Sequence, residues 1–375
     1  MKKTRLAIVR QKYRPDGGAE RFISRALEAL DNQNLELNII TRQWSGEPNP
    51  DWHVHLCNPP KWGRVSRERR FADSARQCWQ REQFDLVQSH ERIAGCDVFR
   101  AGDGVHQVWL EQRARIIPSY QRLLTALSGY HRYVLAAEKE MFNCGSLKKI
   151  ICNSEMVKQQ IIRCYQVPED KFAIIYNAID CNRFYPADEA ARLRARRQLD
   201  LPADACTLIY VGSGFERKGL KQAITAIAST DRYLIVVGQD KHQQKYRAFA
   251  QSLGCLQRIR FVGVQKEVLA FYHAADGLIL PTLYDPFPNV ILEAMACGLP
   301  VITSLSCGGA EFIEQGRQGF VCDALDAESL ASFSAQIPLR HRDPQMGYLA
   351  RKRVLGCTPA HLSEQLLQLY QQLLP

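Results

Sequence analysis

The chain has 375 residues, 46% of them hydrophobic and 23% charged, with a formal net charge of +10. That length is long for one core and comfortable for two, and the composition is that of a folded globular protein, which excludes a disordered chain. The longest apolar runs, such as residues 277–281 and 173–176, are strand-length, far short of the ~18 residues a membrane-spanning helix needs.

The N-terminus starts Met1-Lys2-Lys3, but only residues 6–9 are apolar before Arg10, Lys12 and Arg14. That is too short for a signal-peptide core, and a first strand over residues 5–9 is the better reading. The turn Pro15-Asp16-Gly17-Gly18 follows, then Phe22, Ile23, Ala26, Leu27 and Leu30 recur at helical spacing. Residues 35–40, 85–89 and 149–153 read as later strands of the same sheet. Ser154 with Glu155 reads as a helix start leading to Met156, Ile161 and Ile162. A break spans 177–204, punctuated by Pro186 and Pro202, with 189–197 as a charged, solvated helix. Strands then recur at 207–211, 233–237, 259–262, 278–280 and 301–303, each followed by a helical stretch. Such alternation implies parallel sheets with helices on their faces. The expectation is an α/β protein of two domains, 1–178 and 179–358, with the last helix, in 359–375, returning to the first. The thirteen cysteines are scattered, odd in number and never spaced C-x-x-C. This argues against a disulfide framework or a structural zinc and for a reducing compartment.

Ligands of parallel sheets bind at the carboxyl ends of strands, and clefts between domains are preferred pockets. Four groups of residues follow strands. Gly17-Gly18 would let backbone N–H groups approach an anion, although a tight turn needs the same glycines. Gly212-Ser213-Gly214-Phe215-Glu216-Arg217-Lys218-Gly219 combines a glycine-rich backbone with two adjacent cations, which suits a diphosphate. Its third glycine falls five residues after the second, so it is not a dinucleotide fingerprint, and no Ser or Thr follows Lys218 to make a Walker motif. The third group runs from Asp285 through Pro286, Phe287, Pro288, Asn289 and Val290 to Glu293. The prolines stiffen a loop carrying Asp285, and Glu293 sits in an unusually apolar helix, where a carboxylate needs hydroxyl partners. The fourth is Ser89-His90-Glu91, with Asp97 and Asp103 nearby, where His90 is suited to orient or deprotonate a hydroxyl.

With these residues in this order, the chain resembles the family-four, retaining GT-B glycosyltransferases, and among them those that build the lipopolysaccharide core. The early Gly-Gly loop, the G…RKG loop, a hinge Asn177-Ala178-Ile179-Asp180 followed by Arg183-Phe184 and Pro186, and the spaced acids Asp285 and Glu293 carry the likeness over nearly the whole chain. The resemblance implies two Rossmann-like domains facing across a cleft. It implies a UDP-sugar donor and a hexose, of glucose or N-acetylhexosamine type, moved with retention. Arg217 and Lys218 would neutralise the diphosphate, Asp285 would hold the transferred sugar, and Glu293 would bind the ribose. Gly212, Phe287, Pro288, Asn289 and Val290 would contact phosphate, and Gly17 and Gly18 would complete the donor loop. His90 would lie near sugar and acceptor, and Glu20 and Asp103 are acceptor-side candidates. Three positions depart from the family pattern: Asp285 for Glu, Ser213 where many members have Arg, and Ala178 for Gly.

No D-x-D occurs, so neither a catalytic metal nor a cofactor is expected, the UDP-sugar being a substrate. The positive charge concentrates in Lys61, Arg64, Arg67, Arg69 and Arg70 and in the basic, aromatic stretch 108–133. Such interleaving suits an anionic membrane surface, though single-stranded nucleic acid offers the same complement. With no nucleic-acid module recognisable, the expected partner is the inner-membrane surface. A cytoplasmic, peripheral enzyme would there meet a lipid-linked phosphorylated glycan. The rival readings are another nucleotide-sugar enzyme, a hydrolase or epimerase, and an NAD-dependent oxidoreductase, which the glycine spacing disfavours.

Overall fold

The computed structural model describes residues 4–13, 35–45 and 52–374; the expected turn at 15–18 and the helix around 22–30 lie outside them. The chain divides into two compact units, Met1–Asn177 with Pro359–Pro375, and Ala178–Thr358.

In the first unit the strands are β1 (Thr4–Val9), β2 (Lys12–Tyr13), β3 (Leu35–Thr41), β4 (Gln43–Trp44), β5 (Trp52–Leu56), β6 (Leu86–Ser89), β7 (Val98–Arg100), β8 (Lys149–Cys152) and β9 (Phe172–Ile174). The helices are α1 (Gly63–Glu82), α2 (His106–Ala114), α3 (Ser119–Leu127), α4 (Gly129–Phe142) and α5 (Glu155–Tyr165). Seven strands form one sheet in the order β5-β3-β1-β6-β7-β8-β9, with every pairing parallel. Leu6, Ala7, Ile8 and Val9 are all buried, as expected of a strand covered on both faces. Ser154 caps α5, its hydroxyl accepting from the Val157 amide at 3.2 Å.

The second unit contains β10 (Thr207–Val211), β11 (Tyr233–Val237), β12 (Ile259–Gly263), β13 (Gly277–Leu280), β14 (Val301–Ser304) and β15 (Gly319–Cys322). Its helices are α6 (Glu189–Gln198), α7 (Leu220–Ala228), α8 (Gln243–Ser252), α9 (Leu269–Ala274), α10 (Asn289–Ala296), α11 (Ala327–Gln336) and α12 (Gln345–Val354). The sheet order is β12-β11-β10-β13-β14-β15, again all parallel. This is a doubly wound, Rossmann-like arrangement. The C-terminal helix α13 (Pro359–Leu373) belongs to the first unit and buries Leu362, Leu366, Leu369 and Tyr370 along one face.

Six strands were not anticipated: β2, β4, β5, β7, β9 and β15. Five of them run only two to four residues, too short for periodicity to register. The helix α6 is also not the solvated one its charges suggested, since Arg192, Ala195 and Arg196 are buried. The guanidinium of Arg196 lies 2.5 Å from Asp276 Oδ2 and also donates to the carbonyls of Pro202, Ala203 and Ala205. Asp276 in turn accepts from the Thr207 amide at 2.9 Å, so a buried ion pair fastens α6 to the start of the central strands.

Candidate active site

Each sheet reverses its strand order beside its first strand, between β1 and β6 in one unit and between β10 and β13 in the other. Connections leaving the two strands diverge there, which opens a crevice at their carboxyl ends. In the second unit the loop after β10 carries residues 212–219 into α7, and the loop after β13 carries residues 281–288 into α10.

Two glycines let these loops come together. Gly212 has φ +151°, and a Cβ there would stand 2.4 Å from Lys218 Cδ, so the lysine side chain lies across a bare backbone. Gly219, at φ +76°, approaches so closely that a Cβ would stand 1.9 Å from the Pro281 carbonyl oxygen. The Arg217 carbonyl accepts from the Leu283 amide at 2.8 Å and from the Thr282 hydroxyl at 3.0 Å.

Arg217 Nη1 then donates to the Tyr284 carbonyl at 2.9 Å and to Asp285 Oδ2 at 3.0 Å, and Lys218 Nζ lies 3.5 Å from the same oxygen. Asp285 is 7% exposed. Its own backbone is held by the Ser306 carbonyl at 3.1 Å and the Gly308 amide at 3.0 Å. Two cations and one carboxylate thus share a fixed point and leave one net positive charge. Beside them α10 begins at Asn289, with Pro288 at its N-cap and no side-chain cap, so the positive end of the helix dipole is directed at this loop. Phe287 is buried edge-on against Phe312, with ring centroids 5.4 Å apart. Val290 and Asn289 are half-buried. Glu293, just over a turn into the helix, is 5% exposed, and its Oε2 accepts from the Tyr272 hydroxyl at 2.9 Å. The carboxylate therefore already has a partner within the protein, contributed by α9. Ser213 accepts from the Gln239 amide through its hydroxyl, at 3.3 Å. Among the described residues no three His, Cys, Asp or Glu side chains gather in a way that could hold a metal ion.

In the first unit His90 follows β6 and is buried. The Gln88 side-chain Nε2 donates to the ring Nε2 of His90 at 2.9 Å, and the Gln88 side-chain Oε1 accepts from the Tyr370 hydroxyl at 2.7 Å. Burial, reinforced by the Arg100 and Arg10 guanidiniums, holds the His90 pKa well below its ordinary value. A neutral imidazole whose Nε2 already accepts a hydrogen bond is better suited to donate than to remove a proton. The Ser89 hydroxyl donates to the Glu91 carbonyl at 2.7 Å and accepts from its amide at 3.0 Å, closing a local turn. Glu91 Oε1 accepts from the Gln11 amide at 2.9 Å, tying the ends of β1 and β6 together; burial raises its pKa, with Arg10 opposing. Asp103 lies 3.5 Å from Arg10. Burial pushes its pKa up, but Arg10, Arg92 and Arg100 outweigh that and lower it.

Asp97, expected near His90, is not part of this group. It precedes β7, level with Val87, whose amide it accepts at 2.9 Å, and it pairs with Lys148 at 3.0 Å. Gly17, Gly18 and Glu20 lie outside the described residues. Three polar residues at strand carboxyl ends escaped the sequence reading. Arg10 follows β1. Arg100 ends β7, donates to Asn177 Oδ1 at 2.9 Å and has its pKa lowered to about 10 by burial and Arg10. Asn153 follows β8, its Oδ1 buried without a hydrogen-bond partner among the described residues. Their signal was available: each stands at the last position of a strand or just beyond it.

The basic stretches meet in this same unit, where α1 packs on α4. Arg64 lies over Tyr130 at 5.9 Å, Arg69 over Tyr133 at 5.7 Å and Arg70 over Trp62 at 4.1 Å. The helix α3 buries none of its residues and exposes Tyr120, Leu123, Leu124 and Leu127, whereas Ile117, just before it, is buried. Among the described residues no helix is long and apolar enough to cross a membrane.

Two family models match in sequence order: Glycosyltransferase Family 4 over residues 16–183 and Glycosyl transferases group 1 over residues 191–338. The chain is 26% identical over 323 residues to the lipopolysaccharide glucosyltransferase WaaG of Escherichia coli, covering 84% of each chain. It is 28% identical over 326 residues to the lipopolysaccharide core biosynthesis glycosyltransferase LpsE of Rhizobium meliloti, covering 86% of each. The crystal structure of WaaG superposes with a TM-score of 0.82 at 24% identity, over 97% of this chain and 99% of that one. Anabaena HepE, solved in complex with UDP and glucose, shares the fold at a TM-score of 0.71 and 18% identity, over 98% of this chain and 100% of its own. With both Rossmann-like units accounted for, the chain belongs to the GT-B glycosyltransferases of the family-four type.

Proposed function

We propose that the chain transfers a hexose, of glucose or N-acetylhexosamine type, from a UDP-sugar to a lipid-borne phosphorylated glycan, the lipopolysaccharide core, with retention of anomeric configuration and without a metal. The observation that carries this reading is the convergence of Arg217, Lys218 and Asp285 at the switch point beside the N-terminus of α10. Cations and a helix N-terminus suit a diphosphate, and an adjacent fixed carboxylate suits sugar hydroxyls. Arg217 and Lys218 stabilise the charge that grows on the leaving UDP. Gly212 and the backbone over 287–290 approach the phosphates, Asp285 holds the sugar, and Glu293, oriented by Tyr272, takes the ribose. The C1–O bond to the phosphate breaks, the acceptor oxygen bonds C1 on the same face, and the acceptor proton passes to the departing phosphate oxygen. No carboxylate nucleophile is required on this route. On the acceptor side, His90 serves as a neutral donor, with Asp103 beside Arg10. The activities of WaaG and LpsE in lipopolysaccharide biosynthesis, and the UDP and glucose bound to HepE, support the choice of donor and acceptor.

The exposed apolar face of α3 and the arginines of α1, two helices that both pack on α4, suit an anionic lipid surface. On this reading the enzyme works at the cytoplasmic face of the inner membrane, where a lipid-linked acceptor lies. The test is turnover of a UDP-sugar panel, with chelator present, on purified lipopolysaccharide core. One UDP-sugar consumed with an α-product from an α-donor is the expected result. Inverted product, metal dependence or no turnover with any UDP-sugar refutes the corresponding part. Loss of flotation with anionic liposomes in a Leu123→Ser, Leu124→Ser double variant is expected if α3 is the contact.

A further inference from the structure

The second unit holds a cavity of about 630 Å³ that none of Arg217, Lys218, Asp285 or Glu293 lines. It lies among the segment entering α6, the end of α10 and the first turns of α12. Pro186, Ala187 and Pro344 give it apolar walls, and the ring of Tyr348, a residue 61% exposed, lines it as well. Its α10–α12 side is tightly built: a Cβ on Gly347 would stand 2.2 Å from the Gly298 carbonyl oxygen. The volume falls in the range of small-molecule sites, roughly 300–1,000 Å³.

The charge around this space is unbalanced. Arg192, Arg340 and Arg351 line it against one carboxylate, Glu189, leaving two net positive charges. Arg192 is fully engaged, by Glu189 at 2.7 and 2.8 Å and by the Ala203 carbonyl at 3.0 Å. Arg340 and Arg351 form no salt bridge among the described residues. Their guanidinium groups donate only to carbonyls, Arg340 to Cys297 at 3.3 Å and His273 at 2.9 Å, and Arg351 through Nη1 to Phe184 at 3.2 Å and to Ala296, while the backbone amide of Arg340 donates to Asp276 Oδ1 at 3.1 Å. That leaves Nε of Arg340 and both Nε and Nη2 of Arg351 without a hydrogen-bond partner among the described residues. Unspent guanidinium donors meet phosphate oxygens well, because the planar fork can grip two at once.

We propose that this cavity is a second ligand site, separate from the donor site, for a phosphate ester that carries a ring. Arg340 and Arg351 receive the phosphate, and Tyr348 and Pro344 cover the ring. Nucleoside and sugar phosphates share that chemistry. The occupant bears on the carboxyl end of α10, whose first residues and Glu293 form part of the proposed donor site. Any coupling between the two ligands is then reciprocal.

The test is calorimetric titration of the full chain with phenyl phosphate, glucose 1-phosphate and inorganic phosphate, each in the presence of saturating UDP. The preceding UDP titration reports on the donor site by itself, so failure there is distinguishable from failure here. One equivalent of an ester binding in the presence of UDP is expected. The ester that binds more tightly identifies the ring as aromatic or sugar. Ala187→Trp, which fills the cavity without touching a charge, is expected to weaken it by at least about tenfold. Tyr348→Ala, at an exposed position, keeps the test open if the tryptophan variant misfolds, and is expected to weaken the preferred ester but not inorganic phosphate. No ester binding at millimolar concentration, unchanged affinity in the variants, or complete displacement by UDP overturns the proposal. Inorganic phosphate binding as tightly as either ester also overturns it.

Discussion

Replacing Asp285 with Asn separates the two tasks assigned to the site. Asn is isosteric and its carbonyl oxygen can still accept from Arg217 at the 3.0 Å position now held by Oδ2. What disappears is one negative charge beside two positive ones. If Asp285 grips a sugar hydroxyl, the variant loses a charge-assisted hydrogen bond of about 1.5–3 kcal/mol. That corresponds to a fall in kcat/KM of about 10- to 150-fold. UDP carries no sugar, and Asp285 cancels half of the positive charge that Arg217 and Lys218 offer a diphosphate. UDP should therefore bind the variant as tightly as the wild type, or more tightly. Arg217 is 40% exposed, so solvent screening limits that gain to about tenfold. Turnover by chromatography and UDP affinity by calorimetry decide the matter. If both fall together, Asp285 organises the phosphate-binding cations and does not hold the sugar.

Three further outcomes are expected. Asp276→Asn leaves the buried Arg196 charge without its partner, and denaturant unfolding should report a loss of about 3–5 kcal/mol; a loss below about 1 kcal/mol would contradict the pair's structural role. His90 and His106 are both held neutral: His90 by burial, Arg100 and Arg10, and His106, lowered to about 4, by burial, Arg92 and His131. The unfolded chain protonates both below about pH 6.5. Stability should therefore be flat above that pH and fall as pH drops toward 4, by up to about 1.4 kcal/mol per pH unit for each histidine. His90→Gln should make the pH-dependence of Tm shallower, and an unchanged slope would refute the assignment. Gly219→Ala combines a left-handed conformation with a collision at Pro281; beyond about 1–2 kcal/mol of backbone strain, it should part the two donor loops and raise KM for the nucleotide sugar, and wild-type kinetics would refute that geometry.

Much of the second unit could be read locally. The strands β10 and β11 match the expected 207–211 and 233–237, because buried parallel strands appear as short unbroken apolar runs between turn signals. Asp285 on a stiffened loop and Glu293 in the next helix are a matter of spacing along one stretch of chain, and the same holds for Ser154 as a helix cap. Where side chains met across the fold, local reading failed. Arginines spaced along α6 looked like a wet helix face, yet Arg196 is buried because Asp276, eighty residues on, waits beneath it. Asp97 looked like a neighbour of His90 by position alone, and strand register carried it to the other end of β7.

The sequence by itself determined the alternation of strands and helices, the division into two α/β halves, and which short segments follow strands and carry chemistry. Tertiary structure alone decided the partners: Arg217 and Lys218 with Asp285, Tyr272 with Glu293, and Tyr370 through Gln88 with His90. The physical reason is the order of strands in each sheet. Placing β10 beside β13 and β1 beside β6 brings together loops that lie far apart in the chain, and no local pattern of residues states which strands will be neighbours.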